Sequence, residues 1–208
     1  MRLTVFGATG GVGREIVRQG LAAGHRVTAV VRDPARLDVT GDRLEVFTAT
    51  AFDDPDSLRP AVVGGTRCCR ASARAGAGLA APVTRSILRA MEAEGVRRLV
   101  VVSAAPVGTV PPGEPLLGRL AMGIVKVVLK PVYTDLARME EELTLSGANW
   151  TSARPPQLVN TPVTGVYRKV VGANPRGGNK LGRPDLAHAM LAMLDDPATV
   201  RQPVGVAY

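Results

Sequence analysis

Aromatic residues are scarce: three Phe, three Tyr and one Trp make up 3% of the chain. Too few rings are available to build a stacking platform for bases, so single-stranded nucleic acid is not the expected ligand. Lysine is nearly missing as well, with only Lys126, Lys130, Lys169 and Lys180. The net charge of +8 therefore rests on scattered arginines. No basic motif accompanies it, and neither a nucleic acid nor a membrane partner is expected. A positive excess still attracts small anions such as nucleotides. Cysteine is limited to the adjacent pair Cys68 and Cys69, which excludes a disulfide framework and a Cys-x-x-Cys redox motif. The longest apolar run, Leu120 to Leu129, is too short to span a bilayer and carries Lys126. The chain opens on a strand-like run rather than a leader, so a cytoplasmic protein is expected. No metal-ligand cluster stands out.

What is present suits one globular domain over residues 1–208: 46% hydrophobic residues, 21% charged and a mean hydropathy of +0.11. Apolar runs at 2–6, 26–32, 44–49 and 96–104 read as strands. Amphipathic stretches at 13–24, 53–62, 83–95, 116–129, 132–146 and 183–196 read as helices. The run 96–104 is continuously apolar, as in a parallel sheet covered on both faces. Alternating strands and helices with short connections predict an α/β, Rossmann-like, doubly wound parallel sheet. An irregular C-terminal segment follows, with strand-like pieces at 149–159 and 165–172.

The glycines are concentrated in VFGATGGVGREIV, residues 5 to 17. Gly7, Gly10 and Gly13 follow a strand and open a helix. In that context the first permits a tight turn, the second a close approach to a pyrophosphate and the third close packing of helix on strand. The phosphates would sit at the helix N-terminus, where free N–H groups favour negative charge. Gly7, Thr9, Gly10, Gly11, Val12 and Gly13 are the loop positions expected to hold a dinucleotide. At the end of the second strand, Arg32, with Arg36 nearby, would pair with a 2′-phosphate and select NADP. Asp33 would accept from a free 2′-hydroxyl and select NAD, or would simply cap a turn. The strength of Arg–phosphate contacts favours NADPH.

These segments, with GVRRLVVVSAA, ARPPQL, TGVYR and RPDLAHAMLAML, resemble the NAD(P)H-binding atypical short-chain dehydrogenases, nearest to the flavin reductase and biliverdin reductase B branch. The resemblance runs along nearly the whole chain. It implies a monomeric Rossmann-like protein and an NADPH-dependent reductase of flavins or similar planar small molecules. It also implies that Ser103, delivered by the strand LVVVSAA to the carboxyl edge of the sheet, serves the nicotinamide and the reaction. The local alternative is a serine that bonds its own loop. Pro155, Pro156 and Gln157 are the substrate-side residues by the same resemblance. That branch can carry a His after its two prolines. Gln157 stands there in this chain, and an amide cannot titrate near neutral pH. The Tyr-x-x-x-Lys pair of classical short-chain dehydrogenases is missing, since Tyr133 is followed by Ala137 and Tyr167 by Val171. Alcohol oxidation with a protein base is therefore not expected. A second reading is a non-catalytic, NmrA-like protein that binds dinucleotide and reports redox state.

One stretch fits none of this. A doubly wound sheet needs a fourth strand between the second and third helices, and the resemblance implies an apolar run there. Residues 67–74 read RCCRASAR instead. Synonymous codons for those residues exist that, read one base later, spell Asp-Ala-Val-Val-Leu-Ala-Leu-Gly. A compensated frameshift over about 66–83, or a natural basic loop, are the two expectations.

Overall fold

The computed structural model describes residues 1–71, 78–109 and 129–208. An eight-stranded sheet has the order β3-β2-β1-β4-β5-β6-β10-β8. Its strands are β1 (Arg2–Phe6), β2 (Arg26–Val31), β3 (Leu44–Thr48), β4 (Arg67–Arg70), β5 (Arg98–Val102), β6 (Asn149–Arg154), β8 (Arg168–Val171) and β10 (Gln202–Ala207). All neighbours pair in parallel except β8, which runs antiparallel to β10. A separate parallel pair joins β7 (Gln157–Val159) to β9 (Lys180–Gly182). The helices are α1 (Gly11–Ala22), α2 (Pro55–Val62), α3 (Ala80–Ala93), α4 (Lys130–Leu145) and α5 (Arg183–Leu194).

Helices α1 and α5 cover one face of the sheet over Leu3, Val5, Val27, Cys69 and Val100. The other face packs Phe6, Val30, Cys68, Leu99 and Val101 under α2, α3 and α4. Successive residues of a strand point to opposite faces, so the two adjacent cysteines serve two different cores. Both thiols are fully buried, and desolvation raises both, Cys69 to about 12. Buried thiols held in the protonated form are weak nucleophiles at neutral pH.

The basic segment is therefore not a loop at its start: Arg67–Arg70 pairs with β1 on one side and β5 on the other. Arg67 lies at the mouth and reaches Asp195. Arg70 is 1% exposed. The expected helix at 116–129 falls almost wholly outside the described residues. The expected helix at 132–146 begins slightly earlier, with Pro131 in its first turn where a missing N–H costs nothing. Over 149–159 the expected strand, β6, ends at the two prolines, and the short β7 follows them. Strands β9 and β10 carried no clear sequence signal, being short or interrupted by Pro203 and Gly205.

Side chains from one element complete another. Asp135 of α4, 6% exposed, accepts from the backbone N–H groups of Gly78, Ala80 and Ala81, so α4 caps α3. Arg98 gathers the C-terminus of α5: it donates to the carbonyls of Met193, Leu194 and Asn149 and to the hydroxyls of Thr151 and Thr199. Among the described residues no helix is long and apolar enough to cross a membrane.

Candidate functional site

Strand order reverses between β1 and β4: β2 and β3 lie to one side, the later strands to the other. Ligands of such sheets bind at this switch, outside the carboxyl ends of the strands. The glycine stretch leaves β1 at that point. Gly7 has φ +76°, and its carbonyl accepts from Gly10 N–H at 3.0 Å. A Cβ on Gly13 would overlap the Gly7 carbonyl oxygen and lie 2.9 Å from Ala8 Cα. Only glycine lets α1 start this close under the turn. Gly10 sits at the cap position and supplies no side-chain bond, and α1 has no acidic residue in its first turn. The helix thus presents free N–H donors beside exposed Gly10 and Gly11.

Arg32 and Arg36 are exposed just past the end of β2. Asp33 caps the turn Pro34–Arg36 through its Oδ1, which accepts from Ala35 N–H at 3.0 Å. Arg14 ties that turn to α1, donating to Asp38 and to the Arg36 carbonyl at 3.2 Å each.

Ser103 follows β5 at the same edge and is 1% exposed. Its backbone N–H donates to Ala153 at 2.8 Å, but its Oγ has no partner among the described residues. Among the described residues no loop group bonds this hydroxyl. Ala105 N–H donates to the Pro155 carbonyl at 2.8 Å, which draws the Pro-Pro turn alongside Ser103. Pro155 is buried, Pro156 half-buried, and Gln157 is exposed at the start of β7. Arg154 is held by Glu140 of α4 through Nε and Nη2, and the Ser152 hydroxyl donates to the same carboxylate at 2.7 Å. Asn174 donates to the carbonyls of Ala105 and Thr109, and its buried Oδ1 has no donor among the described residues. A roomy cleft of about 510 Å³ lies at the opposite edge, among Arg67, Arg97 and Arg98. Arg98 there is already used by carbonyl and hydroxyl acceptors, and the cleft is remote from the glycine turn.

A family model described as NAD(P)H-binding matches residues 7–197. The chain belongs to this NAD(P)H-binding family. An uncharacterized chloroplastic protein of Arabidopsis thaliana is 30% identical, covering 79% of this chain; the match spans about three fifths of that relative. A short-chain dehydrogenase/reductase of Veillonella parvula, solved with NADP, superposes with a TM-score of 0.79 at 20% identity over 100% of this chain and 94% of its own. An anaerobillin reductase of Escherichia coli O157:H7 gives a TM-score of 0.79 at 20% identity over 100% and 97%. At that identity the two structures attest the fold.

The residues present suit the family's dinucleotide. The Gly7–Gly13 cradle, which a Cβ would fill, and the uncapped start of α1 can take the diphosphate. The unpartnered Ser103 Oγ offers one donor and acceptor at the far end. Sequence reasoning missed Glu140 and Asn174, which lie in no motif and reach the rim only through the packing of α4 and the turn after β8. Of the bystanders, Trp150 is buried in the core, as packing requires. His25 is half-buried rather than exposed, and burial and the nearby N-terminus lower its pKa. His188 is exposed and bonded through Nδ1 to the Tyr167 hydroxyl at 2.8 Å.

Proposed function

We propose that this chain is an NADPH-dependent reductase that passes hydride to a flavin or a similar planar acceptor. The observation that carries this reading is the Ser103 hydroxyl, buried and without a partner among the described residues, at the carboxyl edge next to the strand-order switch. A buried polar group normally has a hydrogen-bond partner, and a ligand at this edge would supply it. Bound reduced nicotinamide supplies the hydride. The protein's part is orientation: the glycine turn and α1 hold one end, and Ser103 bonds a polar group at the other.

The rim holds no evident proton donor among the described residues. Glu140 is engaged by Arg154 and Ser152, and Gln157 is an amide. A planar ring that takes hydride from the nicotinamide and its proton from water suits such a site better than an alcohol does. Arg32 and Arg36, exposed beyond β2, support NADPH over NADH. The shared fold with an anaerobillin reductase and an NADP-bound reductase is consistent with this assignment.

The test is oxidation of NADPH by the purified protein with flavins, quinones and tetrapyrroles as acceptors. Turnover with a planar acceptor, faster with NADPH than with NADH, is expected. Tight binding of both NADP forms without turnover on any acceptor would replace the enzyme by the redox-reporting reading.

A further inference from the structure

Three arginines surround a cleft of about 460 Å³ beside the first turn of α1: Arg14, Arg18 and Arg183. Two of them are neutralised. Arg14 pairs with Asp38, and Arg18 with Glu15. Arg183 differs. Its Nη1 donates to the neutral amide oxygen of Asn160 at 2.6 Å. Among the described residues no carboxylate forms an ion pair with it. Asp185, two residues on, is buried and already accepts from Thr164, Gly165 and Tyr208.

The Arg183 side chain leaves its own helix and crosses to α1. A Cβ built on Gly11 would lie 2.7 Å from Arg183 Cδ and 3.1 Å from its Nε. Gly11 is the first residue of α1, the positive end of that helix. A whole guanidinium charge therefore rests against the positive end of a helix with no side-chain cap and no acid in its first turn. Like signs held together cost energy unless an anion lies between them. The placement makes sense as one half of an anion site whose other half is the α1 N-terminus.

We propose that Arg183 is a ligand of the dinucleotide diphosphate, a cation contributed by the last helix to a loop that has none of its own. This rests on the NAD(P)H reading of the glycine turn and deepens it. The charge serves the diphosphate, which NADPH, NADH and ADP share. Arg32 and Arg36, in contrast, face the end where only NADPH carries a 2′-phosphate.

The contrast supplies the experiment. Arg183→Met keeps methylenes over Gly11 and removes the charge; Arg183→Lys keeps the charge without the planar fork. Affinities of wild type and both variants for NADPH, NADH and ADP are measured by calorimetric titration, with thermal unfolding of the free proteins alongside. Arg183→Met is expected to weaken all three ligands by about 10- to 100-fold, the range of a lost charge-assisted contact. Arg183→Lys should lose less, and the free variants should melt at or above the wild-type temperature because a repulsion is relieved. Unchanged affinities in Arg183→Met overturn the proposal, as does a loss confined to NADPH. Should Arg183→Met melt early, Arg183→Gln, which can still donate to Asn160, is read by the same two criteria. A wild type that binds none of the three ligands removes the dinucleotide reading, and this proposal with it; a wild type that binds while Arg183→Met binds equally removes only the proposal.

Discussion

Nη1 of Arg70 lies 3.1 Å from the Sδ of Met139, and its Nε and Nη2 have no partner among the described residues. A thioether is a weak acceptor. Arg70 closes β4, between Phe6 of β1 and Val101 of β5 in register. Burial there pulls its pKa down to about 10, against a smaller opposing pull from Asp135. A charge taken out of water without a counter-ion is costly. Arg70→Leu should stabilise the protein by about 1–3 kcal/mol, seen as a higher denaturant midpoint. A lower midpoint would mean that the guanidinium supports the fold. Resequencing the coding DNA checks the frameshift expectation separately: codons 66–83 should spell an apolar strand in another frame, and if they do not, that idea is dead.

Ser103→Ala carries a prediction of unusual sign. An Oγ with no partner among the described residues gives little to the free protein, so its removal should leave the melting temperature equal or slightly raised. Turnover with NADPH and a planar acceptor should fall, about tenfold for one neutral or weakly charged hydrogen bond lost at the reacting end. Wild-type turnover in the variant would return Ser103 to a bystander.

Arg32→Ala should weaken NADPH by about 10- to 150-fold, the value of a charge-assisted phosphate contact, and leave NADH nearly unchanged. Competitive titration of the two cofactors measures it. Equal losses would point to Asp33 as the ribose reader, despite its use of Oδ1 to cap the following turn.

Asp185 makes stability depend on acid. Burial pushes its carboxyl up, but the bonds from Tyr208, Gly165 and Thr164 outweigh burial and hold it below the usual carboxylate value. Its contribution is then complete above the usual carboxylate value and is lost as pH falls through the lower folded value. Asp185→Asn should cost about 2–4 kcal/mol at neutral pH, because an amide cannot accept from all those donors. The deficit should shrink below about pH 4. Chemical denaturation across that range checks both points, and parallel curves at all pH values would refute the assignment.

The parallel sheet and the glycine turn were legible because they depend on local rules: continuous apolar strands, helical spacing, and a steric need for glycine at Gly7 and Gly13. Residues 67–70 resisted reading for the opposite reason. Cys68 and Cys69 fill two cores adequately, while the flanking arginines break the apolar pattern that announces a central strand. The rim was half legible. Ser103 and the Pro-Pro turn follow strands with clear signatures. Glu140, Asn174 and Arg183 acquire their positions from elements distant in sequence, and no spacing rule along the chain could bring them to the edge.

The knot of bonds that Arg98 makes with the last turn of α5 has a mechanical consequence. That helix cannot slide along its axis without breaking contacts to two carbonyls of its own C-terminus and to Thr199 beyond it. With one end pinned at the amino edge of the sheet, its length of 12 residues, about 18 Å at 1.5 Å per residue, fixes where the other end emerges. The helix acts as a ruler, setting how far the first side chain of α5 reaches toward the glycine turn.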